Sequence, residues 1–202
     1  MDELRHRSEG DRGLAGVRIF GIDPGSHRTG YGCIDTNGSQ HRLIVCGVLT
    51  APSRITFPEK LLTIHDELEV LLHRHRPETV AIEDLFFARN ARSALKLGHV
   101  RGVVMLAASE AGIPVSEYTP TEVKRTVVGY GRAEKQQVQK MIMLLLGLDQ
   151  APSPFDVSDA LAVAICHSHA IGPTSKRAVG SLPGATSWRS YRPGSAALRE
   201  DC

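Results

Sequence analysis

The chain has 202 residues, 42% hydrophobic and 23% charged, with a formal net charge of +2, which suits one sizeable domain with a buried core and excludes a disordered or collagen-like chain. No apolar run approaches the roughly 18 residues of a membrane span, and the first sixteen residues mix both charge signs without the apolar centre of a signal peptide. Cys33, Cys46, Cys166 and Cys202 are scattered and form no C-x-x-C pair, against a zinc knuckle and a secreted disulfide framework and in favour of a reducing cytoplasm.

In chain order, residues 1–16 read as a flexible extension. Strand-like runs follow near 18–23, 30–35 and 42–50, divided by turn signals at Pro24-Gly25 and Asn37-Gly38, so the chain opens as an antiparallel meander. After Pro58, Leu61, Ile64, Leu68 and Leu71 recur at helical spacing, and Pro77 ends that helix. TVAIED, residues 79–84, reads as a fully buried strand. A second helix spans about 91–111 and stops at Gly112; it carries Gly98 and Gly102, whose small size permits close approach of another helix or of its own sheet. IPVSEY, 113–118, is another strand. Val138, Met141, Ile142, Leu145 and Leu146 form a helical stripe, and a last helix covers about 158–169. The remainder, 172–202, is a basic tail rich in Gly, Pro and Ser with no apolar period. Hairpin strands followed by alternating strand and helix predict an α/β domain over 17–171, with a mixed sheet covered by helices.

The modest net charge conceals a pattern. From Leu85 to Ser109 stand Arg89, Arg92, Lys96 and Arg101 without one acid, and a second run holds Lys124, Arg125, Arg132, Lys135 and Lys140 against Glu122 and Glu134. Solvated helix faces or phosphate contacts both account for such runs.

Four acids are distinguished by placement. The first strand ends in Asp23, where Pro24-Gly25 forbids continuation. Glu83 closes the apolar run VAIE, where a carboxylate is costly to bury without a cation or a donor. Asp156 and Asp159, in FDVSDALAVA, are three apart and share a helix face. Taken singly, Asp23 also fits an Asx turn, Asp156 a helix N-cap and Asp159 a first-turn acid. Taken together, four carboxylates suit oxygen-ligated magnesium or manganese, and two such ions about 4 Å apart hydrolyse phosphodiesters.

Four stretches in order, GIDPGSHRTGYG, AIEDLFFARNARSALKLGHVRG, EVKRTVVGYGRAEKQQV and DVSDALAVAICH, resemble the RuvC family of bacterial Holliday junction resolvases from about Val17 to His169. The resemblance implies a ribonuclease-H-like fold with a five-stranded mixed sheet, and an active site of Asp23, Glu83, Asp156 and Asp159 that binds Mg²⁺, two ions with Mn²⁺ as a substitute. It implies an aromatic after the catalytic glutamate that stacks on an unpaired base; Phe86 falls there, and its neighbour Phe87 stands where a flexible aliphatic is commoner. It sets Lys124 and Lys135 near the scissile phosphate, with Arg92, Lys96 and Arg132 as backbone contacts. It further implies four-way junction DNA as substrate, a homodimer with the Gly98–Gly102 helix as the dimer face, and RuvA and RuvB as partners.

Cys166, His167 and His169 form a C-H-x-H cluster with no second ligand pair at finger spacing. The leading expectation is a magnesium-dependent junction endonuclease. Two alternatives stay open: a junction-binding module with a silent nuclease, and a related nuclease acting on structured RNA.

Overall fold

The computed structural model describes residues 16–84 and 91–171. Its sheet has five strands, β1 (Val17–Asp23), β2 (Thr29–Thr36), β3 (His41–Leu49), β4 (Thr79–Glu83) and β5 (Val115–Tyr118), in the order β3-β2-β1-β4-β5. The helices are α1 (Phe57–His75), α2 (Ala91–Glu110), α3 (Pro120–Val128), α4 (Lys135–Leu145) and α5 (Phe155–Ile171). The expected meander is present: β1–β2 and β2–β3 pair antiparallel, while β4 lies parallel to β1 and β5 parallel to β4. Parallel pairing requires crossovers, which α1 and α2 supply.

Strand alternation divides the core in two. Phe20, Ile22, Val80 and Ile82 pack with α1 and α2 on one face, through Leu68, Leu72, Val100 and Val104. Ile19, Ile34 and Ala81 pack with α3, α4 and α5 on the other, through Val123, Val138, Leu161 and Ile165. The expected mixed sheet with flanking helices is thus a three-layer sandwich.

Two expectations are corrected. The helix α3 was not foreseen as a separate element, yet its start is written in T-P-T-E: Thr119 Oγ1 accepts from the Glu122 amide, and the Glu122 carboxylate accepts from the Thr119 amide, a capping box with Pro120 at the first turn. The last helix begins at Phe155 rather than near 158, so Asp156 lies inside its first turn and is not the N-cap. Gly98 and Gly102 are also resolved: a Cβ at either would meet nothing within 4 Å, so these glycines do not bring α2 close to its own sheet. Val100, Val104, Ala107 and Ala108 do that, and the glycines face outward.

Close approach is needed on the opposite face. α5 is buried nearly all round, from Val157 to Ser168, and lies directly on β1 and β2. A Cβ at Gly21 would stand 2.1 Å from the Ala160 carbonyl oxygen, and one at Gly30 2.0 Å from that of Asp156. Backbone atoms cannot yield as a side-chain tip can. Gly21→Ala therefore costs about 2 kcal/mol or more of folding stability, whereas Gly98→Ala, on an exposed helix face, is neutral or gains up to about 1 kcal/mol in the monomer; chemical denaturation of the two variants checks the contrast.

Candidate active site

The parallel register sets Ile22 of β1 beside Ile82 of β4, so the next residues, Asp23 and Glu83, are neighbours at the carboxyl ends of adjacent strands. Alternation decides their direction. Gly21 and Ala81 face α5, so Asp23 and Glu83, two residues on, face it too. Across from them are Asp156 and Asp159 in the first two turns of α5. Ser158, fully buried between these acids, anchors the turn by donating to the Pro152 carbonyl at 2.8 Å, and Gln139 of α4 donates to the same oxygen at 2.8 Å. Gly30 admits the Asp156 backbone to β2. The acid pair on α5 is therefore fixed from two sides.

Burial first, and then the charges of Asp159 and Asp156, raises Asp23 above the ordinary carboxylate range, to about 6. Burial, followed by the fields of Asp23 and Asp159, raises Glu83 further, to about 8. The two side chains are hydrogen bonded to each other, an interaction that raises Glu83 and lowers Asp23. The pair therefore retains a proton near neutral pH, the ordinary outcome for two carboxylates crowded in one site. Lys135, at the start of α4, supplies positive charge: its Nζ donates to Asp159 Oδ2 at 2.8 Å, with the lysine more than half exposed. Burial lowers the Lys135 pKa, but the hydrogen bond to Asp159 and the fields of Asp159, Asp23 and Glu83 outweigh this and leave it raised. One ammonium against four carboxyl groups leaves a strongly anionic edge.

The expected site residues separate into groups. Asp23, Glu83, Asp156, Asp159 and Lys135 come together. Lys124 is half-buried on α3, and Arg132 is exposed between α3 and α4, both on the α5 side of the sheet. Arg92 and Lys96 are exposed in the first turns of α2 on the other side, and Lys96 Nζ lies 5.7 Å from the centre of the Phe57 ring. Phe86 and Phe87 fall outside the described residues. The C-H-x-H stretch forms no common site: the Cys166 thiol pairs with Thr126, while His167 Nδ1 pairs with the Tyr118 hydroxyl at 2.6 Å.

Among the described residues, the one group with three potential ligand atoms within 4.8 Å of one another is instead His65, Asp66 and Glu69 on α1. There His65 is already engaged by Glu110 at 2.7 Å and Asp66 at 3.3 Å. The four carboxylates at the sheet edge are spaced more widely than that group. Their all-oxygen donor set and uncompensated charge fit a hard divalent ion. The positioning residues Gly21, Gly30 and Ser158 had not been singled out; the Gly30-x-Gly32 alternation on one strand face and the serine between two acids were the available signals.

A five-stranded sheet in this order, with an acid at the end of its first strand, another on the parallel neighbour and two on the helix that crosses them, defines the ribonuclease-H-like class. The family model for "Crossover junction endodeoxyribonuclease RuvC" matches residues 19–167. The crossover junction endodeoxyribonuclease RuvC of Alkaliphilus oremlandii is 50% identical over 151 residues, 75% of this chain and 92% of that protein; that of Syntrophomonas wolfei is 46% identical over 153 residues, 76% of this chain and 89% of that one. Among solved structures, Thermus thermophilus RuvC in complex with Holliday junction substrate aligns with a TM-score of 0.73 at 39% identity, over 76% of this chain and 93% of that chain. The yeast mitochondrial Holliday junction resolvase Ydc2, 15% identical with a TM-score of 0.57, shares the fold. The chain belongs to the RuvC family, a family of metal-dependent nucleases.

The raised carboxyl groups set a pH dependence for the metal-free protein. Because folded Glu83 holds its proton more tightly than the unfolded residue, its favourable contribution is complete below the unfolded value near 4.5 and is lost as pH rises through about 8. In chelator, thermal stability attributable to this edge therefore declines from pH 5 to pH 9. Glu83→Gln flattens the decline and is more stable than the parent at pH 8 by on the order of 2 kcal/mol, as melting curves across that range would record.

Proposed function

We propose that this chain is a structure-selective endonuclease that resolves four-way DNA junctions by paired, symmetric nicks in strands of like polarity, during homologous recombination and repair. The observation that carries the reading is the half-buried carboxyl pair Asp23 and Glu83, set side by side at the strand ends and facing Asp156 and Asp159, in a chain related over most of its length to crossover junction endodeoxyribonucleases. Asp23 and Glu83 would hold Mg²⁺ from the strand ends, and Asp156 and Asp159 would complete the donor set from α5, with Mn²⁺ an acceptable substitute. Two bound ions would supply an acidified water on one side of the scissile phosphate and charge neutralisation on the other.

The remaining steps belong to the chain. Asp23 and Glu83 would release their proton to solvent when the site fills and would orient the attacking water. Lys135, held 2.8 Å from Asp159, would turn to a phosphate oxygen and steady charge developing there. Lys124 and Arg132 extend the positive border along the same side, Arg92 and Lys96 meet the phosphate backbone farther out, and Phe86 or Phe87 stacks on an unpaired base. The nuclease domain is 17–171, with 1–16 and 172–202 as extensions. Among the described residues no helix is long and apolar enough to cross a membrane, in keeping with action on cytoplasmic DNA beside RuvA and RuvB.

A two-fold junction calls for two active sites, and α2 offers the means. Leu61, Leu95, Gly98, Gly102, Val103 and Leu106 line an apolar groove between α1 and α2, with Leu95 65% and Leu106 51% exposed. A second copy of the chain fills it, helix against helix across the two glycines.

With an end-labelled mobile four-way junction, the parent gives paired nicks with Mg²⁺ and none with chelator. Asp23→Asn loses at least about a hundredfold in cutting rate while still retarding the junction on a native gel. Full activity in Asp23→Asn contradicts the site; a retarded but uncut junction for the parent means a binding module, and cutting of structured RNA in preference to the junction means an RNA nuclease. Leu95→Glu combined with Leu106→Glu yields a monomer by sedimentation and unpaired nicks, and a surviving dimer excludes this groove.

A further inference from the structure

The sheet that turns Glu83 toward Asp23 must send the next residue the other way. Asp84 continues the ladder, its amide donating to the Tyr118 carbonyl at 2.7 Å, so its carboxylate falls on the α1–α2 face together with Val80 and Ile82. There it meets Arg101 of α2, whose Nη2 stands 3.3 Å from Asp84 Oδ1. The same Nη2 donates to Glu117 of β5, which the register sets beside Ile82 on that face. One guanidinium thus joins the ends of β4 and β5 to α2. All three side chains are about one-third exposed, and the Arg101 Nε is buried with no hydrogen-bond partner among the described residues. Arg101 belongs by sequence to the basic run beginning at Arg89, yet it is turned inward to acids rather than outward to solvent.

Resting on the reading of this edge as the active site, we propose that Arg101 is a positioning residue for junction cutting. By joining Asp84 and Glu117 to α2 it keeps the end of β4 in the orientation that sets Glu83 beside Asp23.

The test uses the full chain with Arg101→Gln, Arg101→Lys, Asp84→Asn and the Arg101→Gln/Asp84→Asn pair, with Glu83→Gln as reference. In single-turnover cutting at saturating Mg²⁺, Arg101→Gln is slower by about tenfold, and Arg101→Lys, which cannot present a fork to two carboxylates, is slower by about threefold. Junction affinity in chelator stays at the parental value, and the rise in melting temperature on adding excess Mg²⁺ without DNA becomes smaller. The double variant is no slower than Arg101→Gln alone, because both changes remove one interaction. Parental cutting by Arg101→Gln, a loss that multiplies with that of Asp84→Asn, or a loss matched by weaker junction binding each overturns the proposal. Should Arg101→Gln fail to fold, Asp84→Asn with Glu117→Gln removes the same pairs from the other side: slower cutting supports the role and parental cutting overturns it. A Glu83→Gln variant that still cuts would remove the site reading itself, whereas an inactive Glu83→Gln beside a fully active Arg101→Gln removes only the role of Arg101.

Discussion

Like charge held at close range organises this molecule. Asp23 and Glu83 are set side by side by the parallel pairing of β1 and β4, under a helix that brings two more carboxylates to face them. Folding alone gives no reason to build such an edge, since burial and repulsion both oppose ionisation there. The apo protein relieves part of the cost in two ways: one proton is kept between Asp23 and Glu83, and Lys135 is drawn onto Asp159. Both are provisional neutralisations that, in the proposed site, a divalent cation would replace. The edge is best understood as a charge deficit maintained for a ligand.

Maintaining it depends on parts distant from the chemistry. α5 can reach the strand ends only because Gly21 and Gly30 present no side chain to its backbone, and its first turn holds its direction because Ser158 and Gln139 share the Pro152 carbonyl. On the far face, Phe20 stacks in parallel on Tyr31 with centroids 5.8 Å apart, and the apolar packing of α1 and α2 fixes the plane from which the acids project. The same alternation that gives Asp23 and Glu83 one direction gives Asp84 the other. An acid pair adjacent in sequence is thereby divided between the catalytic face and the α2 face.

Much of this was legible in the amino-acid order. The meander followed from Pro24-Gly25 and Asn37-Gly38, and Asp23 and Glu83 announced themselves as acids that end apolar strands. Their meeting was not deducible from periodicity, because it depends on which strands pair and in what register, information that resides in contacts distant in sequence. The start of α5 was misplaced because Pro152 and Pro154 hid a helix whose first turn is anchored by a side chain rather than by a conventional cap. α3 is hard to read from sequence because VKRTVV is short and two-thirds β-branched, so its propensity is weak and its stability comes from the Thr119–Glu122 box and from Val123 and Val127 packing beneath α5. Arg101 could be counted among the bases, but only the fold shows that it faces two acids. The stretch with Phe86 and Phe87 lies outside the described residues, and its assignment rests on the family pattern.

In the proposed site, Asp23 and Glu83 keep a proton that a divalent cation would displace. The most direct measurement is calorimetric titration of the DNA-free protein with Mg²⁺ at pH 7 in two buffers of different ionisation enthalpy, which counts protons released on binding. The account predicts release of about one proton per subunit, abolished in Glu83→Gln. Binding without proton release, or the same release from Glu83→Gln, would contradict it.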